Sequence, residues 1–444
     1  MAASLLLAAA LFAQTAPLLA QTAPGGAKPP AGPSLPTQKT FTTGTALGSG
    51  QGGAGQGGGA GAGQGTGSGG GNTVGSPMGG GSTISGRPPE LPLQRVTPRQ
   101  YDVKFEGSIW APGVSRGDTA PMQLSAMTVW FPMILQSTWS AVDPASLKPE
   151  LWIEARKDPK IGDRVQYRQG LPFGLSAMGF PVGDVAGQSL KWNVTWRVQV
   201  WSAKLDEAAA ARTTWPVDWP AEVQEALRPQ PGIESDAPEF KAFVDRVSQG
   251  KLRAVSPWIA AKELVRATIK VFRNIDNDGL RVESGFTRGL VLNGALSSMN
   301  AASGTAHDMT AACTAVLRAA GIPARAVIGA ADLPTSSGNA TRTRLISWGE
   351  FYLPGAGWVP YDPVDLRGAI RGGLSLDRSW PSFGNWSDLN ERIPLSYTWI
   401  APIPGTTSMP YPAVWSWSTH GVINTQVISD MVGIQIVGRG RAKE

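Results

Sequence analysis

Few residues in this chain are equipped for nucleophilic or metal chemistry. It has one cysteine, Cys313, and two histidines, His307 and His420. A single cysteine excludes a disulfide framework within the chain and any Cys-rich metal site. Two imidazoles beside it do not make a conventional zinc set, so no metal and no cofactor is expected. Cys313 falls in the apolar middle of an Ala-rich run, where a thiol reads as a small buried hydrophobe before it reads as a nucleophile. His307 stands near the start of that run and reads as an exposed or capping imidazole before a general base. The carboxylates of Asp308, Glu350 and Asp362 would form at most a weak cation group. Ser303, Thr305 and Ser347 offer hydroxyls, but the spacing positions no base on any of them. His420 lies among tryptophans near the C-terminus and has no readable role.

The elements that must position these residues are clearest between Gly304 and Pro363. GTAHDMTAACTAVLRAAGIPAR, from Gly304 to Arg325, reads as a helix. Thr305 and Asp308 stand at capping-box spacing, Gly321 marks the stop, and Pro323 forbids continuation. A strand is expected over Ala326–Ile328, then a polar loop over Thr335–Thr343. Strands over Leu345–Leu353 and Gly357–Tyr361 follow, joined by a tight turn at Pro354–Gly357. Upstream, Asp236–Gln249 puts Phe240, Phe243, Val244 and Val247 on one helical face. The next helix starts with Ser256 as N-cap and Pro257 at its first position. Its apolar stripe is Trp258, Ile259, Leu264, Val265, Phe272 and Ile275. Leu280–Ser303 reads as loop.

One constellation in this stretch is specific. The helix ends in Leu317, Arg318, Ala319, Gly321, Ile322, Pro323, Ala324 and Arg325. Trp348 and Glu350 lie on the following strand, and Pro354, Gly355, Gly357 and Trp358 make the turn. Asp362–Pro363 closes the set. In this order and spacing the segment resembles the core of the bacterial transglutaminase-like family, whose fold is shared with papain-type cysteine proteases. That family carries Gly-x-Cys at the helix start, Leu-x-Arg-Ala-x-Gly-Ile-Pro-Ala-Arg at its end, a His-x-Trp-x-Glu strand, a Pro-Gly-x-Gly-Trp turn and Asp-Pro. The resemblance implies an α+β fold class, with a transglutaminase-like, papain-like core in which a helix packs on an antiparallel sheet. It also implies a covalent mechanism. A thiol at a helix N-terminus is acidified by the helix dipole and an imidazolium, and a carboxylate orients that imidazole.

The family's nucleophile position, counted back from Gly321, falls on Ala306. Its base position, counted back from Asp362, falls on Ile346. Only Asp362 keeps the family's residue type, as a relict triad member. Alanine has no nucleophilic atom and isoleucine has no titratable one, so the family's mechanism cannot run here. His307, Asp308, Trp348 and Glu350 remain as cleft candidates. The expectation is a catalytically degenerate, pseudoenzyme-like module that binds a peptide or protein or serves as a scaffold. The alternatives are a hydrolase or peptidase-like enzyme of altered mechanism, and a cell-envelope glycan binder.

The rest of the chain frames that core. Residues 1–23 resemble a secretory signal peptide, with an apolar run, Leu5–Phe12, too short to span a bilayer. Residues 24–90 form a Gly-rich, low-complexity linker, expected to be disordered because it buries too little apolar surface to offset its ordering entropy. An exported protein follows, periplasmic, cell-surface or secreted, with no transmembrane span in the mature chain. Residues 91–205 read as a β-rich, sandwich-like domain, 206–366 as the core, and 367–444 as a Trp- and Pro-rich extension packing on it. Lys191–Trp201 is the clearest strand, with Trp192, Val194, Trp196, Val198 and Val200 on one face. Its tryptophans read as core filling before they read as platforms for sugar rings. The net charge of +6 is scattered along the chain, with no basic stripe, so no nucleic-acid partner is expected. The partners considered are a peptide, a protein or a cell-wall ligand.

Overall fold

The computed structural model describes residues 92–441 apart from 111–121, 155, 276, 284–285, 335–340, 371–372, 402, 404–411 and 421–428. The expected signal peptide and Gly-rich linker lie outside the described residues. The fold is α+β, with antiparallel sheets and a buried helix at its centre.

The alternation around Lys191–Trp201 extends into a strand over Ser189–Leu205, and Trp192, Val194, Trp196, Val198 and Val200 are all buried. A period of two buries one face of such a strand, and pairing then satisfies its backbone. Its neighbours are Leu93–Trp110 and Ser140–Ile153, both antiparallel. They belong to a seven-stranded sheet that continues through Ser429–Arg441, Phe286–Leu290 and Leu280–Glu283. A four-stranded sheet of Ser416–His420, Met122–Pro132, Leu175–Gly187 and Gln166–Leu171 covers one face of it. Aromatic rings join the two sheets: Phe105 meets Phe131 at 5.4 Å, and Trp192 meets Phe131 at 6.0 Å and Phe180 at 6.2 Å between centroids. This is a sandwich filled by the aromatic face that the alternation identifies.

Two features of this sandwich escape local pattern reading. The last strand, Ser429–Arg441, lies beside the first, Leu93–Trp110, over most of its length. The C-terminal extension therefore contributes strands to the sandwich as well as cover for the core. Leu280–Ser303, expected as loop, holds the strands Leu280–Glu283 and Phe286–Leu290 and the helix Ala295–Ala301. Thr287 pairs with Val432, a partner so distant in the chain that no local periodicity could announce it.

The central helix spans Ala306–Ala319, and every residue from His307 to Arg318 is buried. A helix enclosed on all sides belongs to the core, and its alanines allow neighbouring backbones to approach closely. The helices Pro238–Ser248, Pro257–Val271 and Ala295–Ala301 pack on it. Its other side rests on a four-stranded sheet of Gly357–Tyr361, Thr341–Leu353, Ala324–Pro334 and Ile393–Ser396. The start and stop signals hold. Thr305 and Asp308 form a reciprocal capping box, and Ser256 caps the helix that begins at Pro257. Gly321 ends the central helix with φ of 75°, a left-handed turn that a side chain would strain.

Candidate functional site

The start of the central helix and the middle of the Thr341–Leu353 strand lie side by side. The chain neighbours of Ala306 and Ile346 show this: His307 Nδ1 and Ser347 Oγ are 2.8 Å apart. Ala306 and Ile346 are themselves half-buried. The N-terminus of a buried helix offers unpaired N–H groups and a positive dipole end, the features that stabilise a thiolate or an oxyanion. Here the chain's own acceptors occupy donors at that end. Ala306 N–H donates to the Asn277 carbonyl at 3.2 Å, and Asp308 N–H donates to Thr305 Oγ1 at 3.2 Å.

Asp308 organises this end as structure. Its carboxylate accepts from Thr305 N–H at 2.9 Å, Asn293 N–H at 2.7 Å, Asn293 Nδ2 at 2.7 Å and Gly294 N–H at 3.1 Å. It thereby joins the helix start to the turn leading into Ala295–Ala301. A carboxylate with four such donors is satisfied and has no lone pair free for a proton-transfer role.

His307 is fully buried, which corrects the expectation of an exposed or capping side chain. Its ring packs against the edge of Trp399 at 6.3 Å. Gly279, at φ of 81°, covers it so closely that a Cβ there would lie 2.3 Å from the ring. The hydrogen bonds determine the tautomer. Thr310 Oγ1 lies 3.2 Å from the Ala306 carbonyl, which can only accept, so Thr310 donates there. Ser347 Oγ must then donate to Thr310 Oγ1 at 3.2 Å, and His307 Nδ1–H must donate to Ser347. The serine proton points away from the imidazole, opposite to the arrangement that activates a nucleophile. Nε2 has no partner, and burial pulls the imidazole down from 6.5 to about 4.

Asp362 is buried and serves as an N-cap. Its carboxylate accepts from Val364 N–H at 2.8 Å and Asp365 N–H at 3.2 Å, capping the helix Pro363–Ala369. Arg392, lying over the Trp386 ring, closes on it at 2.7 Å. Burial pushes the carboxyl up to about 6, against the pull of Arg392 and the two N–H groups. Cys313 is fully buried, and burial pushes its thiol far above the ordinary range, with the Asp362 carboxylate adding to the shift. It is the small core hydrophobe its position implies. Glu350, also buried, pairs with Arg325 at 2.7 Å, and Arg325 lies 4.0 Å from both the Trp358 and the Tyr397 ring centroids. Burial still raises the Glu350 carboxyl above its ordinary value. Trp348 is buried in the same sheet.

The structure thus brings His307, Ser347 and Asp308 to the helix start beside Ala306 and Ile346. It commits Asp362, Glu350 and Trp348 to packing and ion pairs. The strand of His420 pairs with Met122–Pro132 in the sandwich, so that histidine belongs to another part of the fold. Among the described residues no group of acidic, histidine or cysteine side chains is placed to hold a metal. Sequence reasoning missed Arg392 and Asn277, which reach the site from distant segments with no local signal.

Residues 260–363 match the family model of the transglutaminase-like superfamily. No curated protein sequence matches the chain. Among solved structures, the chain is similar to a candidate cysteine protease from Cytophaga hutchinsonii at 13% identity and a TM-score of 0.47, covering 78% of this chain and 93% of that one. It is also similar to the periplasmic domain of TgpA from Pseudomonas aeruginosa at 17% identity and a TM-score of 0.28, covering 62% and 93%. The family match spans the same helix, strands and turn that surround Ala306 and Ile346, and the chain therefore carries a transglutaminase-like superfamily domain at residues 260–363.

Proposed function

We propose that the chain is an exported, catalytically degenerate transglutaminase-like protein whose core acts as a peptide- or protein-binding or scaffold module. The observation that carries this reading is the pair Ala306 and Ile346 at the two positions where the family's mechanism needs a thiol and an imidazole. Removing either the nucleophile or the base from a catalytic unit of this kind costs on the order of 10⁶ in kcat, and both are replaced here. The surroundings have taken up structural duties instead: Asn277 accepts from the helix N-terminus, and Arg392 holds Asp362. Export rests on the short apolar run at Leu5–Phe12 and the Gly-rich tether after it. No helix among the described residues is long and apolar enough to cross a membrane.

A hydrolase built on Ser347 and His307 is disfavoured. The Ser347 hydroxyl is buried, its proton is directed to Thr310, and the imidazole donates to it. A glycan platform is disfavoured too. Trp192 and Trp196 are core, and cations of the same chain lie over Trp201, Trp152 and Trp110 at 4.7, 5.6 and 5.0 Å. The test is to assay purified protein for amidase, peptidase and amine-transfer turnover with and without iodoacetamide. The expected result is no turnover and no effect of the reagent. Turnover that iodoacetamide abolishes overturns the degenerate reading. Retention on peptidoglycan in a pulldown would move the partner from a protein to the cell wall.

A further inference from the structure

A buried lysine on the helix Pro257–Val271 takes no part in the site at Ala306. Lys262 is 1% exposed, and its Nζ lies 5.5 and 4.8 Å from the centroids of the Trp258 and Trp380 rings. Nζ donates to the Leu376 carbonyl at 3.2 Å and to the Arg378 carbonyl at 2.7 Å. Its third partner, Glu207 Oε2, is looser at 3.5 Å. The other oxygen of that carboxylate, Oε1, accepts from Asn385 Nδ2 at 3.1 Å and from the Ser379 hydroxyl. Asn385 Oδ1 in turn accepts from Leu205 N–H at 2.8 Å, which fixes the orientation of the amide. One carboxylate therefore bridges the amine of a buried lysine and the amide nitrogen of an asparagine from the C-terminal extension.

Lys262, Glu207 and Asn385 hold the parts of an amide-forming reaction. Burial pulls the Lys262 amine below its ordinary value, which favours the uncharged, nucleophilic form. A neutral amine has two N–H groups and one lone pair. The two carbonyls take the two N–H groups, so the lone pair is left on the side of Glu207, the carboxylate that Asn385 shares. Leu205 N–H polarises the Asn385 carbonyl and stands where a developing oxyanion needs a donor. Glu207 touches both nitrogens, so it can take a proton from one and give it to the other.

We propose that Lys262 and Asn385 form an intramolecular amide cross-link, with Glu207 carrying the protons. Glu207 takes a proton from the Lys262 ammonium, and the freed amine attacks Asn385 Cγ. The Nζ–Cγ bond forms, and Leu205 N–H holds the negative charge on Oδ1. Glu207 passes its proton to Nδ2, and the Cγ–Nδ2 bond breaks. Nζ sheds a second proton to the departing ammonia, so ammonium leaves and Glu207 ends as the carboxylate it began as. The balance needs no oxidant and no other reagent. The product ties the helix Pro257–Val271 to the C-terminal extension, in a chain whose single cysteine allows no internal disulfide. A tie across so long a loop stabilises by restricting the unfolded chain. It stands whatever the cleft at Ala306 binds.

Mass spectrometry of the purified full chain after proteolytic digestion tests this directly. The Lys262 and Asn385 peptides are expected as one joined species, lighter than the two together by one ammonia, about 17 Da. Asn385→Ala and Glu207→Gln should each give the two peptides separately. Lys270→Met, at an exposed lysine of the same helix, should keep them joined. Wild-type protein whose Lys262 and Asn385 peptides are recovered only as separate species overturns the proposal, and that result depends on no variant folding. A loss of ammonia confined to one unjoined peptide overturns it too, because asparagine loses the same mass by closing on its own backbone. A joined pair that persists in Glu207→Gln overturns the route through the shared carboxylate.

Discussion

The two ends of the central helix have fared differently. At the C-terminal end the two arginines and the glycine of the family pattern each hold a specific place. Arg318 is buried and donates to the Ala324 and Arg228 carbonyls at 2.7 and 2.6 Å and to Gln230 at 2.9 Å. Gly321 takes the left-handed turn, and Arg325 reaches Glu350 from a slot between two aromatic rings. At the N-terminal end the capping residues Thr305 and Asp308 form their box, whereas, on the reading proposed above, the positions for the thiol and the imidazole hold Ala306 and Ile346. On that reading the residues of the pattern that fold the domain are present, and two of those that would react are replaced. A family pattern of this kind thus mixes two constraints of different origin. Folding constraints persist as long as the fold does, while chemical ones relax once turnover is no longer required.

If that contrast is right, the largest stability losses come from the C-terminal end. Arg325→Ala strands the buried Glu350 carboxylate, and breaking a buried pair from one side costs about 3–5 kcal/mol. Urea denaturation should show this as a lower midpoint at unchanged slope. A loss of under about 1 kcal/mol would mean that the pair is solvated and that the pattern's Arg–Glu match has another origin.

The next effect is a pH dependence at the N-terminal end. His307 titrates at about 4 in the fold against 6.5 ordinarily, so the unfolded chain binds more protons between those values. Its contribution is complete above pH 6.5 and is lost as pH falls toward 4, by roughly 3 kcal/mol in all. Asp362 acts in the opposite sense. With its carboxyl pushed up from 3.8 to about 6, the folded state binds the extra proton, so its contribution is present below pH 3.8 and lost as pH rises through 6. The two nearly cancel in wild type. His307→Asn keeps a donor toward Ser347 and removes the imidazole. In that variant stability should rise as the pH is lowered from 6.5 to 4, measured by urea midpoints across the window. An unchanged pH profile would mean that the imidazole is solvated in the native state.

Asp308→Ala should cost about 2–3 kcal/mol, a helix cap plus buried N–H groups left without an acceptor. Asn293 and Gly294 lose their acceptor together with Thr305. Hydrogen exchange should therefore rise in the turn at 293–295 as well as at the helix start. Protection lost at the helix alone would limit Asp308 to capping.

How much of this was legible depends on how local each cause is. The central helix, its cap and its stop follow from residues within one or two turns of one another. So does the alternation that builds Ser189–Leu205. The burial of Cys313 follows from its apolar neighbours. What local pattern could not show is set by long-range pairing. His307 lies under Gly279 and against Trp399, two segments remote from the helix in sequence. Asp362 looks like a relict acid until Arg392 arrives from the C-terminal extension. The strands at Leu280–Glu283 and Phe286–Leu290 are too short to declare a period; Phe286–Leu290 pairs with Ser429–Arg441 and carries Leu280–Glu283 on its other edge.

The smallest stability effect is expected at Ala306 and Ile346, and this separates the two ends most sharply. Ala306 and Ile346 are half-buried and make no side-chain bond, so Ala306→Cys and Ile346→His should each shift stability by under about 1 kcal/mol. Their effect should appear as reactivity instead. A thiol at position 306 stands at the first turn of a buried helix, where the dipole favours the thiolate, whereas the Cys313 thiol is enclosed. Native Ala306→Cys should therefore react with iodoacetamide near neutral pH under conditions in which wild type does not. Adding Ile346→His should raise the rate further through an imidazolium beside the sulfur. Turnover should stay far below that of an evolved site, because Asp362 remains bound to Arg392 and to its helix N-terminus and is not free to orient the new imidazole. If the double variant is instead badly destabilised, these positions carry packing that the half-buried side chains do not show, and the contrast between the two helix ends fails.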